Sequence, residues 1–152
     1  MLLLCSGITG FQPAPTIEKS EFQHICYSLY GSNVLNFIDD GPAKNFYECI
    51  IKVNGKKVHV LLNSQYPFMA FTSNRKIEEH SFPFVDEPEL VKMLEPYYKV
   101  LNSSQLNEPI RYTQKGKKIT IENVNSLHQA ELEQLVHWQP KTVGEVVFNY
   151  WD

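Results

Sequence analysis

The chain has 152 residues, 43% of them hydrophobic and 12% aromatic, and a formal net charge of −3. Its length fits one domain spanning residues 1–152, and its apolar content is enough for a real core rather than a disordered chain. The acidic balance argues against wholesale nonspecific nucleic-acid binding, and the sparse, odd set Cys5, Cys26 and Cys49 reads as a reduced, cytoplasmic chain rather than a disulfide framework.

The apolar start, Leu2 to Cys5, has no basic leader and soon meets Gly7, Gly10 and Pro13, so neither a secretory signal nor a membrane span is expected from it. Residues 1–15 read as an irregular segment or a short strand. Ser20, with Gln23 three residues on, predicts a capped helix. Phe22, Ile25, Cys26, Leu29 and Tyr30 form its apolar stripe, and Gly31 marks its end. Val34–Ile38 reads as a short strand, and Asp39-Asp40-Gly41-Pro42 as a turn.

Phe46 to Asn63 organises the reading. Two Val/Ile/Tyr-rich runs flank Asn54-Gly55, the dipeptide best suited to a two-residue hairpin turn. The turn predicts Val53 opposite Lys56, Ile51 opposite Val58, Cys49 opposite Val60 and Tyr47 opposite Leu62. This face is almost wholly apolar. The other pairs Lys52 with Lys57, Ile50 with His59 and Glu48 with Leu61, and is expected to stay partly wet. Covering of the apolar face is assigned to the first and last helices.

Tyr66 to Thr72 reads as a third strand, apolar on both faces, with Pro67 at its start. Ser73 to Val85 reads as a loop. Asp86 with Glu89 then predicts a helix carrying Leu90, Val91 and Leu94, kinked or ended at Pro96. Ile110–Gln114 and Lys117–Ile121 predict a second hairpin about Lys115-Gly116, with Tyr112 opposite Ile119. Ser126 with Gln129 opens another helix. Thr142 with Glu145 opens the last, whose stripe runs Val143, Val146, Val147, Tyr150 and Trp151. Phe148 falls off that stripe and is expected at the surface.

Together these elements predict an α+β fold: a mainly antiparallel sheet of about five strands built on two hairpins, with amphipathic helices packed mostly on one face.

Chemistry is harder to find. The five histidines, His24, His59, His80, His128 and His137, include no His-Glu-x-x-His. There is no Cys-x-x-Cys, phosphate loop or Gly-x-Ser-x-Gly elbow. His24, Cys26 and Cys49 could bind zinc or form a redox pair, but the reading adopted is that both cysteines fill the core and His24 points away. Glu78-Glu79-His80 reads as a solvated run and Asp39-Asp40-Gly41 as a turn. No catalytic residue, metal ligand or cofactor is assigned.

Trp138 to Asp152 matches W-x-P-K-T-x-G-E-x-x-F-N-x-W-D. This pattern resembles the tails of small uncharacterised bacterial proteins from Gram-positive species. The resemblance covers only this tail and implies a bacterial setting, with no activity attached.

The function expected is noncatalytic binding of another protein, of inhibitor or immunity type, with Phe148 as the leading contact. One alternative is an enzyme site dispersed over Glu48, His59 and His80, of which Glu48 and His59 share the mixed face of the hairpin. The other is nucleic-acid binding through the lysine-rich hairpin tips, Lys56 and Lys57 on one and Lys117 and Lys118 on the other. No membrane partner is expected, and the oligomeric state stays open.

Overall fold

The computed structural model describes residues 2–11, 16–38, 44–73 and 82–151. Its elements in chain order are α1 Lys19–Tyr30, β1 Val34–Ile38, β2 Phe46–Val53, β3 Lys56–Asn63, β4 Phe68–Thr72, β5 Phe84–Val85, α2 Pro88–Leu94, β6 Lys99–Val100, α3 Ser103–Leu106, β7 Tyr112–Lys115, β8 Lys118–Ile121, α4 Gln129–Trp138 and α5 Val143–Val147. The fold is α+β. Strands β1 to β5 pair in chain order, all antiparallel, and β6 adds parallel to β4. The second hairpin, β7–β8, forms a two-stranded sheet of its own instead of joining the main one.

The first hairpin has the register that Asn54-Gly55 predicts, from Val53 opposite Lys56 to Phe46 opposite Asn63. The second is shifted by two residues. Tyr112 lies opposite Ile121 and Lys115 opposite Lys118, so the turn is Gly116-Lys117. Gly116 takes the left-handed first turn position at φ 62°, which a turn centred one residue earlier would have forced on Lys115. A shift of two keeps every side chain on its expected face.

Both faces of the main sheet carry helices, where the alternation predicts most of them on one. On the apolar face, Cys49, Ile51, Val58, Val60, Leu62, Met69 and Phe71 pack against Phe22, Ile25 and Cys26 of α1 and Leu90 and Leu94 of α2. The last helix is not there. Val143, Val146 and Val147 of α5 pack on the opposite face, with Phe46, Leu61, Phe68 and Ala70. That second core also takes Leu4 and Ile8 from the N-terminal segment, Leu106 from α3 and Leu135 from α4. Burying such aliphatic and aromatic side chains is worth about 1.5–3 kcal/mol each. This offsets the weakness of helices as short as α3 and α5, which would not form alone.

Three buried asparagines join the ends of the chain to the hairpin. Asn45 Nδ2 donates to the carbonyls of Ile8 (2.8 Å) and Val147 (3.0 Å), and Asn149 N–H donates to Asn45 Oδ1 (2.7 Å). Asn63 Nδ2 donates to the same Ile8 and Val147 carbonyls, at 3.1 and 2.7 Å. Asn149 Nδ2 donates to Thr9 C=O and Val146 C=O. Carbonyls left over by a turn and by a helix end are thus satisfied inside the core, where an unpaired group would cost about 1–3 kcal/mol.

Several local expectations change. Helix α1 starts at Lys19 with Glu18 at its N-cap, and the Glu18 side chain makes no capping bond. Glu87, not Asp86, stands before α2. Asp86 instead receives Ser103 N–H (2.8 Å) and Ser103 Oγ–H (2.5 Å), tying the start of α2 to the start of α3. Helix α2 ends at Leu94, before Pro96. The capping box of α4 is His128 with Glu131, two residues beyond the predicted Ser126 and Gln129. Thr142 and Glu145 cap α5 as expected, but the helix stops at Val147 and Phe148 is already extended.

Candidate functional site

The end of α5 decides the fate of Phe148. Helical spacing places Phe148 off the apolar stripe only while the helix continues. Because the backbone leaves the helix there, Phe148 turns into the core and is 0% exposed. Its ring meets Phe46 at 6.0 Å and Phe84 at 6.1 Å between centroids. It is therefore not a surface contact, and the expectation that it anchors a partner is overturned.

Glu48 and His59 do come together. They lie diagonally across β2 and β3, and His59 Nδ1 sits 2.7 Å from Glu48 Oε2. Glu48 is buried, because the half of the mixed face that carries Phe46 and Leu61 lies under the second core. Lys44 Nζ lies 3.8 Å from the other carboxylate oxygen and donates to Ile38 C=O at 3.0 Å. The carboxylate is thus shared between a ring and an ammonium, as a buried charge requires. Directly opposite His59 on β4 is Thr72, whose buried hydroxyl has no hydrogen-bond partner among the described residues. A cavity of about 290 Å³ opens beside Glu48 and Lys44, lined also by Thr16, Phe37, Tyr47 and Gln65. Among the described residues His59 does not line it. The ring and carboxylate bind each other rather than face one void together. His80, with Glu78 and Glu79, lies outside the described residues, as does Asp39-Asp40-Gly41.

The two lysine tips differ. At the first, Lys56 Nζ pairs with Glu87 at 2.7 Å, and Asn54 Nδ2 donates to Glu89 Oε2 at 3.3 Å. The acidic start of α2 thus offsets the charge of that tip, and Lys57 stands exposed beside it. At the second, Arg111 lies 3.7 Å from Glu108. Lys115, Lys117 and Lys118 are exposed, and none of the ion pairs among the described residues involves them. The tips belong to separate sheets, so they do not form one basic edge.

The second tip borders an apolar groove. A groove of about 380 Å³ runs between β8 and α4, walled by Ile119 and Ile121 on one side and Leu132 and Val136 on the other. All four side chains are half-buried. Lys118 and Glu133 stand at its rim. Glu131 and Leu135 of α4 face the core, and Leu132 and Val136 form a second stripe at i, i+4 beside them. The bond from Glu122 N–H to Arg111 C=O (2.9 Å) sets the phase of the β7–β8 ladder. Thr120 and Lys118 therefore bond toward β7, while Ile119 and Ile121 turn their N–H and C=O groups to the outer edge. Strand and helix spacing place Ile119 and Ile121 on the apolar face of the second hairpin and Val136 on the inner side of its helix, but assign neither these three nor Leu132 to a site. The signal was present: two isoleucines alternating on a strand, and two apolar stripes on one short helix.

Cys26 and Cys49 meet in the first core, both fully buried. The neighbouring Cys26 thiol, together with burial, pushes the Cys49 thiol well above its ordinary range. That disfavours the thiolate, which is the form that binds metals or attacks disulfides. His24 is exposed on the other side of α1. Among the described residues no group of three His, Cys, Asp or Glu side chains is placed to hold a metal, and no helix is long and apolar enough to cross a membrane. Comparison of the chain with protein-family models, with curated proteins and with solved structures finds no match.

Proposed function

We propose that this chain is a noncatalytic protein that binds another protein, of inhibitor or immunity type, through the groove between β8 and α4. The observation that carries the reading is the groove itself: an apolar trough of about 380 Å³ beside a strand whose outer edge is unpaired among the described residues. Monomeric proteins rarely leave such a patch uncovered without a use for it, and apolar walls with a charged rim are the usual anatomy of a recognition surface. The tail resemblance supports a bacterial cytoplasm as the setting. The contact surface shifts from Phe148 to Ile119, Ile121, Leu132 and Val136, with Lys117 and Lys118 at its border.

The test is affinity capture from an extract of the producing cell, followed by binding measurements on the purified pair. A protein held by the wild type and by Lys56→Glu, but lost with Leu132→Glu, supports the reading. Equal capture by the wild type and Leu132→Glu overturns it.

A second reading, proton-transfer chemistry at Glu48 and His59, is favoured by their 2.7 Å contact. It requires a substrate to reach a carboxylate already held by His59 and Lys44. Unchanged binding of small-molecule candidates by His59→Ala counts against it.

A further inference from the structure

We propose that β8 accepts an extended segment of the partner, alternately acidic and apolar, as a third strand of the second sheet. This rests on the groove being the binding face and adds how the partner is held. Two features on that face point the same way.

The first is the edge. Ile119 and Ile121 present their N–H and C=O groups outward, and among the described residues no strand but β7 pairs with β8. An exposed edge is a template for another strand, and main-chain bonds along it supply affinity whatever the side chains are. The second is the alternation. On one face of β8, Ile119 and Ile121 look across the groove to Leu132 and Val136. On the other face stand Lys118 and Thr120, with Lys115 opposite Lys118 on β7 and Lys117 in the turn. A strand laid along this edge would have every second side chain in the apolar groove and the ones between beside Lys118 and Thr120, next to the Lys117 turn. Opposite charges across neighbouring strands attract and like charges repel, so the intervening residues should be acidic. The whole chain is acidic at −3, so this basic hairpin is a local inversion. A second copy would bring the same basic edge, whereas a partner segment of opposite charge complements it.

The test uses the purified chain and a fluorescent decapeptide of alternating Glu and Val, read by anisotropy. A Lys-Val decapeptide and a Glu-Val decapeptide N-methylated at alternate residues serve as controls. The expected result is binding of the Glu-Val peptide, at least tenfold weaker for each control and tenfold weaker with Lys118→Glu. Ile119→Pro should weaken it similarly, since that N–H faces outward and the β7 ladder does not use it. The N-methylated peptide repeats this test without touching the protein. Absence of Glu-Val binding overturns the proposal. So does a dimer in sedimentation that Ile119→Pro dissolves, which assigns the edge to a second copy. If N-methylation has no effect while Leu132→Glu abolishes binding, the groove stands as the binding face and strand addition falls.

Discussion

The carboxylate of Glu131 on α4 receives both the N–H and the hydroxyl of Thr9, at 3.1 and 2.5 Å, across 122 residues of chain. Its other oxygen receives Gly7 N–H at 2.8 Å and His128 N–H at 3.2 Å. One side chain thus caps its own helix and pins the N-terminal segment to the core.

Glu131→Gln should destabilise the chain although it is nearly isosteric. All four partners are donors, and an amide offers one acceptor oxygen and one NH₂ that would face donors. About 1–3 kcal/mol is expected for the mismatch. Urea unfolding should show the lower midpoint, and amide exchange at Gly7 and Thr9 should accelerate. A midpoint equal to wild type would contradict the role assigned to the carboxylate.

Gly144→Ala should also destabilise, against the usual gain of up to about 1 kcal/mol for this exchange inside a helix. A Cβ at Gly144 would lie 2.4 Å from the Phe84 ring and 2.9 Å from Leu106 C=O. A ring can yield, but a buried backbone carbonyl cannot without moving α3. Overpacking of this kind costs about 1–3 kcal/mol. A thermal scan showing a raised Tm would refute the packing of α5 against β5 and α3.

The Glu48–His59 pair should be energetically coupled. His59→Ala leaves a buried carboxylate short of one donor and should cost about 1.5–3 kcal/mol. In a Glu48→Leu background the same change should cost far less. A double-mutant cycle by urea unfolding measures the difference, and a coupling near zero would mean that the carboxylate is satisfied without His59.

Alkali should unfold the chain before it ionises the folded tyrosines. Burial pushes Tyr30, Tyr98 and Tyr112 up to about 12, against about 10 in an unfolded chain. Their raised values mean full stability below about 10 and a progressive loss as the pH rises toward 12, since the unfolded chain releases its protons first. Tm measured across this window should fall, and Tyr98→Phe should flatten the fall. At neutral pH the same variant should be neutral or stabilised by up to about 1 kcal/mol, because the buried Tyr98 hydroxyl has no partner among the described residues to lose. A clear loss of stability at neutral pH would show that the hydroxyl is bonded.

Local structure is legible in the chain alone. Asn54-Gly55 dictates its hairpin register to the residue, Thr142 and Glu145 cap α5, and the alternation of β2 and β3 sorts Cys49, Ile51, Val58, Val60 and Leu62 onto one face. Each rests on backbone geometry within a few residues. Which surfaces meet depends on the packed chain. Helix α5 lies on the face opposite its expected place because Leu4, Ile8, Phe46 and Leu61 supply its apolar partner there. Phe148 is buried because the chain leaves the helix one residue before it. Glu48 and Glu131, polar on paper, are interior because distant groups satisfy them: His59 and Lys44 for one, Gly7 and Thr9 for the other. The groove at β8 exists only because the second hairpin stands apart from the main sheet, and no spacing within either segment encodes that separation.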